Sequence, residues 1–187
     1  MSLKAKNLAL AAMFLALGLV LPLLTGQVQQ IGNMLLPMHI PVFLCGLICG
    51  WRHGAAVGFL TPMLRSVSFG MPPMYPVAIA MAFELAVYGG AAGFLYRSAK
   101  RQSLAVLYRS MVLAMLAGRA VWGIAEVFLL GLRGNAFSWQ AFLAGAFLNA
   151  IPGIILQLIL IPAVMIALDK AGLVPFRREG EVREDGC

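Results

Sequence analysis

Charge is scarce in this chain. Lysine, arginine, aspartate and glutamate make up 11% of its 187 residues, where a soluble domain carries about 25%. That shortage excludes an ordinary soluble fold and predicts an all-α integral membrane protein. Also missing is any G-x-x-x-x-G-K-[ST] stretch, whose backbone would cradle nucleotide phosphates, so dependence on ATP has to come through a partner chain. There is no H-E-x-x-H, no paired acidic motif and no nucleophile–base spacing. A membrane-embedded enzyme using Glu84, Glu126 and His39 as acid, base or metal ligands is disfavoured on that ground. The three cysteines give no disulfide framework: Cys45 and Cys49 share an apolar run and Cys187 lies in a polar tail. Cysteines four apart in a helix read as small packing residues and not as a metal site. No cofactor is expected.

What the chain has instead is apolar length, with 61% of its residues hydrophobic. It holds a single membrane domain over 1–170, with spans at about 7–24, 35–50, 54–66, 77–96, 104–132 and 139–168, and a charged tail over 171–187. Lys4 and Lys6 before the first run resemble the start of a signal peptide. The run is long for one and more spans follow, so it reads as a retained helix. Ala5, Ala9, Ala12 and Ala16 form a small-residue stripe on that helix, a surface that lets another helix approach closely. Trp51-Arg52-His53 reads as a short basic turn, and Arg65 as the close of the third span. The segments 25–37 and 66–76 are nearly free of charge and read as lids over an apolar pocket. Trp139 sits where an interfacial anchor belongs.

The net charge of +7 would hint at nucleic acid in a soluble protein; here the basic residues fall between apolar runs and report topology, so no nucleic-acid partner is expected. With the N-terminus inside, the inner side collects Lys4, Lys6, Arg52, Arg97, Lys100, Arg101, Lys170, Arg177, Arg178 and Arg183. The outer side holds Arg65 and Arg133. The bias predicts a six-transmembrane-helix bundle with both termini cytoplasmic.

Within the spans the costly residues stand out. Arg119, Trp122 and Glu126 are spaced i, i+3, i+7 and share one face of the fifth span. A charge at the bilayer centre costs at least about 2.5–3.5 kcal/mol, so each needs a partner or a polar cavity. One reading is an internal ion pair that glues helices; the other is the wall of a ligand pocket. Depth estimates at about 1.5 Å per residue put Glu84, Arg119, Trp122, Glu126 and Asn149 in the outer half of the membrane or near its midplane. A carboxylate is expected to neutralise Arg119 in the empty state, and Arg119 or Arg65 to hold a ligand carboxylate. The candidate ligand contacts are Asn33, His39, Arg65, Tyr75, Glu84, Tyr88, Arg119, Trp122, Glu126 and Asn149. For His39, a packing role at a helix start is the competing reading.

Six short spans with both ends inside, an alanine-rich first helix and long outer loops after spans one and three resemble an S component. These are the substrate-binding subunits of energy-coupling factor (ECF) vitamin transporters. The stretches GNMLLPMHIP at 32–41, FGMPPMYP at 69–76, AMAFELA at 80–86 and NAIPG at 149–153 carry the likeness, which covers about Lys6 to Leu168. The resemblance implies that Ala12 and Ala16, with Ala5 and Ala9 as a second copy, dock on a transmembrane coupling subunit. It implies that one vitamin is bound by the outer loops and spans four to six. It also implies that two ATPase subunits and the coupling protein drive uptake by toppling the S component. Pantothenate is the expected substrate, with riboflavin, folate or pyridoxine as competitors. A self-sufficient secondary transporter using Glu84 or Glu126 as a proton site is the other alternative, disfavoured because no inverted repeat is visible.

Overall fold

A computed structural model describes residues 3–24, 37–132 and 150–172. Asn33, Asn149, Trp139, residues 25–36 of the first expected lid and the tail beyond Gly172 lie outside the described residues. The described residues form six α-helices: α1 Leu3–Leu24, α2 His39–Cys49, α3 Trp51–Phe69, α4 Ile79–Ser98, α5 Leu104–Leu132 and α6 Ile151–Lys170. A wide helical turn, Met74–Ala78, leads into α4. Tyr75 inside it is extended (φ −121°, ψ 131°), as expected for a residue pushed out of the helical region by the proline that follows.

Among the described residues, four stretches are long and apolar enough to cross a membrane: Ala5–Leu23, Met74–Ser98, Leu104–Gly131 and Ile151–Lys170. The expected second and third spans are different in kind. α2 has 11 residues, about 16 Å of helix, against a hydrocarbon core of about 30 Å. All of α2 except Ile48 is buried, so it is a core helix sheathed by the others. α3 carries Arg52, His53, Thr61, Arg65 and Ser66 and is too polar along its length to count as a lipid-facing span. The sheath itself is apolar outward, with Ile124 (70% exposed), Phe128 (66%) and Ile159 (65%) on its surface. In water such a surface would aggregate; against lipid tails it is the stable arrangement.

α4 is the hub, packing on α2, α3 and α5. Lipid supplies no hydrophobic drive between helices, so close van der Waals approach has to hold them, and that needs small residues at the crossings. Gly46 on α2, Gly54 on α3 and Gly89 on α4 meet at one point. A methyl group at Gly54 would lie 2.5 Å from the Gly46 Cα and 2.7 Å from the Gly89 carbonyl oxygen. One at Gly89 would overlap the Gly54 carbonyl. The α2–α3 reversal is a single residue, Gly50, at φ 100° and ψ 166°, a conformation that side chains with a Cβ rarely adopt. Arg97 of α4 closes the corner by donating from Nη2 to the Ile48 carbonyl at 2.6 Å, satisfying one of the carbonyls left open at the end of α2.

Three expectations change. Trp51, Arg52 and His53 are the first turn of α3 and not a loop, because the Gly50 hinge makes the whole reversal. α3 continues past Ser66 to Phe69 and is capped at Gly70, whose N–H reaches the Ser66 carbonyl. Arg65 therefore stands inside the helix, 4% exposed, and not at a loop mouth. Its Nη1 donates to the Leu19 carbonyl of α1 at 2.9 Å, and its guanidinium lies 5.4 Å from the Phe69 ring. The short side chains of Gly18 and Thr61 let α1 come that near: a methyl at Gly18 would sit 2.8 Å from Thr61 Cγ2.

The glycine junction makes a direct test. Gly89→Ala is expected to cost about 1–3 kcal/mol through overpacking, read as a lower melting temperature in detergent. Gly90→Ala, whose methyl would meet Ala55 Cβ at an ordinary 3.4 Å, should hold or raise it. Equal melting temperatures for the two variants would rule out the junction as the constraint.

Candidate functional site

α2 and α4 begin, and α3 and α5 end, at the same end of the bundle. The Tyr75 hydroxyl at the start of α4 donates to the Leu129 carbonyl near the end of α5. α6 runs parallel to α4, since Asp169 near its end acts on Tyr96 near the end of α4. Five helices thus bring their polar side chains toward one half of the bundle.

At the centre of that half is an ion pair. Arg119 Nη1 of α5 lies 3.0 Å from Glu84 Oε1 of α4, both side chains being buried. The Tyr88 hydroxyl, one turn along α4, donates to the same carboxylate oxygen at 2.9 Å. Gly118 permits the approach: a methyl there would overlap the Tyr88 ring and stand 3.1 Å from the Glu84 carbonyl. The Tyr88 ring in turn stacks on Phe43 at 5.1 Å and tilts against His39 at 5.3 Å. α2 therefore backs the pair with aromatic surface, and the pair is held from three helices.

The guanidinium is only partly engaged. Among the described residues, its Nε and Nη2 are buried without a hydrogen-bond partner. Those two N–H groups share the edge that receives a carboxylate side-on, the bidentate geometry characteristic of arginine. Trp122 lies beside it, with the Arg119 Cζ 5.9 Å from the ring centroid. A buried donor without an acceptor costs about 1–3 kcal/mol, more for a charged group. An acceptor placed against that edge would relieve the cost.

Of the sequence candidates, Glu84, Tyr88, Arg119, Trp122 and His39 come together here. Glu126 is buried further along α5 and has no ion-pair partner among the described residues, so the neutralising carboxylate is Glu84. Tyr75 anchors the α3–α4 connection to α5, which makes residues 70–78 a tethered roof. Arg65 faces α1 and has no contact with the pair. Sequence reasoning left out Gln157 of α6, which is 1% exposed with Nε2 unpartnered among the described residues. The signal was present: a lone glutamine in an otherwise apolar run is as conspicuous as a charge would be. Ala5, Ala9, Ala12 and Ala16 all lie on the exposed face of α1, while Ala11, Phe14, Gly18 and Pro22 turn inward.

The pair predicts a paired mutational signature. Glu84→Ala leaves Arg119 buried and uncompensated and should destabilise the protein by about 3–5 kcal/mol. Adding Arg119→Met should recover most of that loss, as measured by thermal unfolding in detergent. Additive losses in the double variant would show that the two side chains are not coupled.

Comparison with known proteins gives the family. A family model described as ECF transporter, substrate-specific component, matches residues 6–165. The pantothenic acid transporter PanT of Lactococcus lactis subsp. cremoris (strain MG1363) is 28% identical over 193 residues, covering 90% of this chain and 96% of that protein. No solved structure matches. A substrate-specific component is a transport subunit and not an enzyme, and the match takes in every helix that builds the site. The chain belongs to the ECF transporter substrate-specific component family.

Proposed function

We propose that this chain is the pantothenate-binding subunit of an ATP-driven ECF uptake transporter in a prokaryotic cytoplasmic membrane. One observation carries the reading: the buried, unengaged Nε/Nη2 edge of Arg119. A planar oxyanion fits that edge, and pantothenate ends in a carboxylate. The likeness to a pantothenic acid transporter along nearly its whole length favours this vitamin among carboxylates. Riboflavin offers no carboxylate, so a charged fork would gain less from it. Glu84 keeps Arg119 oriented before the ligand arrives, His39 and Trp122 wall the pocket, and Glu126 supplies an acceptor nearby. Asn33 and Asn149 are assigned to the same pocket from sequence.

In this reading the bundle has six helices, with α2 enclosed by the others, and both termini are cytoplasmic. The exposed Arg52, Arg97, Lys100 and Arg101 mark the inner end, and the site opens outward. Energy comes from two ATPase subunits through a transmembrane coupling subunit that docks on the alanine face of α1. A proton-coupled transporter acting alone is less well supported, because the Glu84 carboxylate already accepts from Arg119 and Tyr88.

Two experiments test this. Calorimetric titration of the purified chain against the water-soluble vitamins should give tight, stoichiometric binding of pantothenate. Arg119→Ala should weaken it by at least about 30-fold, the equivalent of about 2 kcal/mol for a truncated buried charge contact. Arg119→Lys, which keeps the charge and loses the fork, should recover only part. Unchanged affinity in Arg119→Ala would sink the assignment. Separately, Ala12→Leu with Ala16→Leu should cut ATP-dependent uptake at least about tenfold, the blocked face being needed for close helix approach, while leaving pantothenate affinity intact. Uptake by the lone chain in proteoliposomes would refute the ATP-driven mechanism.

A further inference from the structure

A buried glutamine on α6 lies level with the ion pair. Asp169 near the end of α6 acts electrostatically on Tyr96 near the end of α4; twelve residues before Asp169 stands Gln157, and twelve before Tyr96 stands Glu84. At about 1.5 Å per residue both are about 18 Å from that shared reference, hence at one depth. Gly153, Gln157, Ile161 and Met165 are buried at intervals of four, so they form the inward stripe of α6. Ile161 and Met165 belong to the same apolar cluster as Phe43 and Tyr88, and α6 packs on α2 and α5. Gln157 therefore lies on the face of α6 that packs on α2 and α5, the helices that carry His39 and Arg119. Among the described residues its Nε2 has no acceptor, like the Nε and Nη2 of Arg119. Two adjacent helices thus present buried donors that have no acceptor among the described residues.

We infer that Gln157 is a second ligand anchor, donating from Nε2 to an uncharged oxygen of the substrate while Arg119 holds the carboxylate. This rests on the binding reading above and deepens it. It assigns the site a ligand with two separated acceptor groups: an anionic end, and a hydroxyl or amide oxygen further along. A short fatty acid or a simple amino acid has only the first. Discrimination follows from the same chemistry, because a ligand without the second acceptor leaves Gln157 as unsatisfied as it was.

The test uses the full chain in detergent, with Gln157→Leu and the more flexible Gln157→Met as a second variant. Losing one neutral hydrogen bond should weaken pantothenate binding by about 3- to 12-fold in calorimetry. The melting temperature of the ligand-free protein should hold or rise, because the variant removes a buried donor that had no partner. A packing role would give the opposite sign, with ligand-free stability falling. Wild-type affinity in both variants, or a lower ligand-free melting temperature in both, overturns the inference. Should the wild-type chain ignore pantothenate and bind an uncharged vitamin, the pantothenate reading falls. Gln157→Leu is then titrated with that vitamin, and the same weakening is expected.

Discussion

A guanidinium enclosed by apolar helices has to be neutralised, and much of this fold answers to that requirement. Glu84 supplies the opposite charge across the α4–α5 contact. Tyr88 adds a hydrogen bond to the same oxygen, which fixes the carboxylate and hence the arginine. The pair forms only if α5 comes close to α4, and Gly118, the residue before Arg119, is what allows it. Breaking such a pair on one side leaves a bare charge in low dielectric, so its members stand or fall together. The arginine nevertheless keeps two donors free. Stability alone would favour engaging them within the protein, so the incomplete pairing is the feature on which the proposed binding role rests.

The second constraint is the short core helix. α2 has no lipid-facing side and exists because its neighbours enclose it, which requires backbones nearly in contact at Gly46, Gly54 and Gly89. Large side chains at that crossing would push α4 outward and carry Tyr88 away from Phe43. The glycine junction lies nearer the Gly50 hinge and the aromatic stack nearer the start of α2. The first positions α2 so that the second can back the ion pair. Packing at one end of the bundle thereby sets geometry at the other.

Much of this was legible in the sequence, and the failures have physical causes. α5 appears over 104–132 as expected, because its apolar run is long and unbroken by proline. The costly charges marked the site, since a membrane span tolerates Glu84 and Arg119 only when they are paired. Which carboxylate pairs with Arg119 was not legible: periodicity placed Glu126 on the same face of its own helix, whereas Glu84 meets Arg119 across a contact that sequence spacing does not encode. Arg65 misled for a related reason. A basic residue near a run of prolines reads as a span end, but α3 continues one turn further and turns Arg65 toward α1. The Trp51–His53 turn failed because one glycine with positive φ reverses the chain without any loop. Gln157 was overlooked because a neutral amide draws less notice than a charge, although burial without a partner makes it costly in the same way.

The arrangement of helices also separates two tasks. α1 packs on α2 and α3, while the ion pair, Trp122 and Gln157 lie on α4, α5 and α6. The alanine face of α1 is turned away from the bundle, so a partner helix can lie against it without displacing anything that lines the site. The α2–α3 hairpin stands between the two regions and contacts both. On one side α3 bonds to α1 through Arg65 and Leu19; on the other, α2 lends His39 and Phe43 to the wall behind Tyr88. The hairpin is thus the only packed connection, among the described helices, that reaches both α1 through Arg65 and the ion pair through Tyr88, and a helix laid against the alanine face of α1 would touch neither Tyr88 nor Arg119.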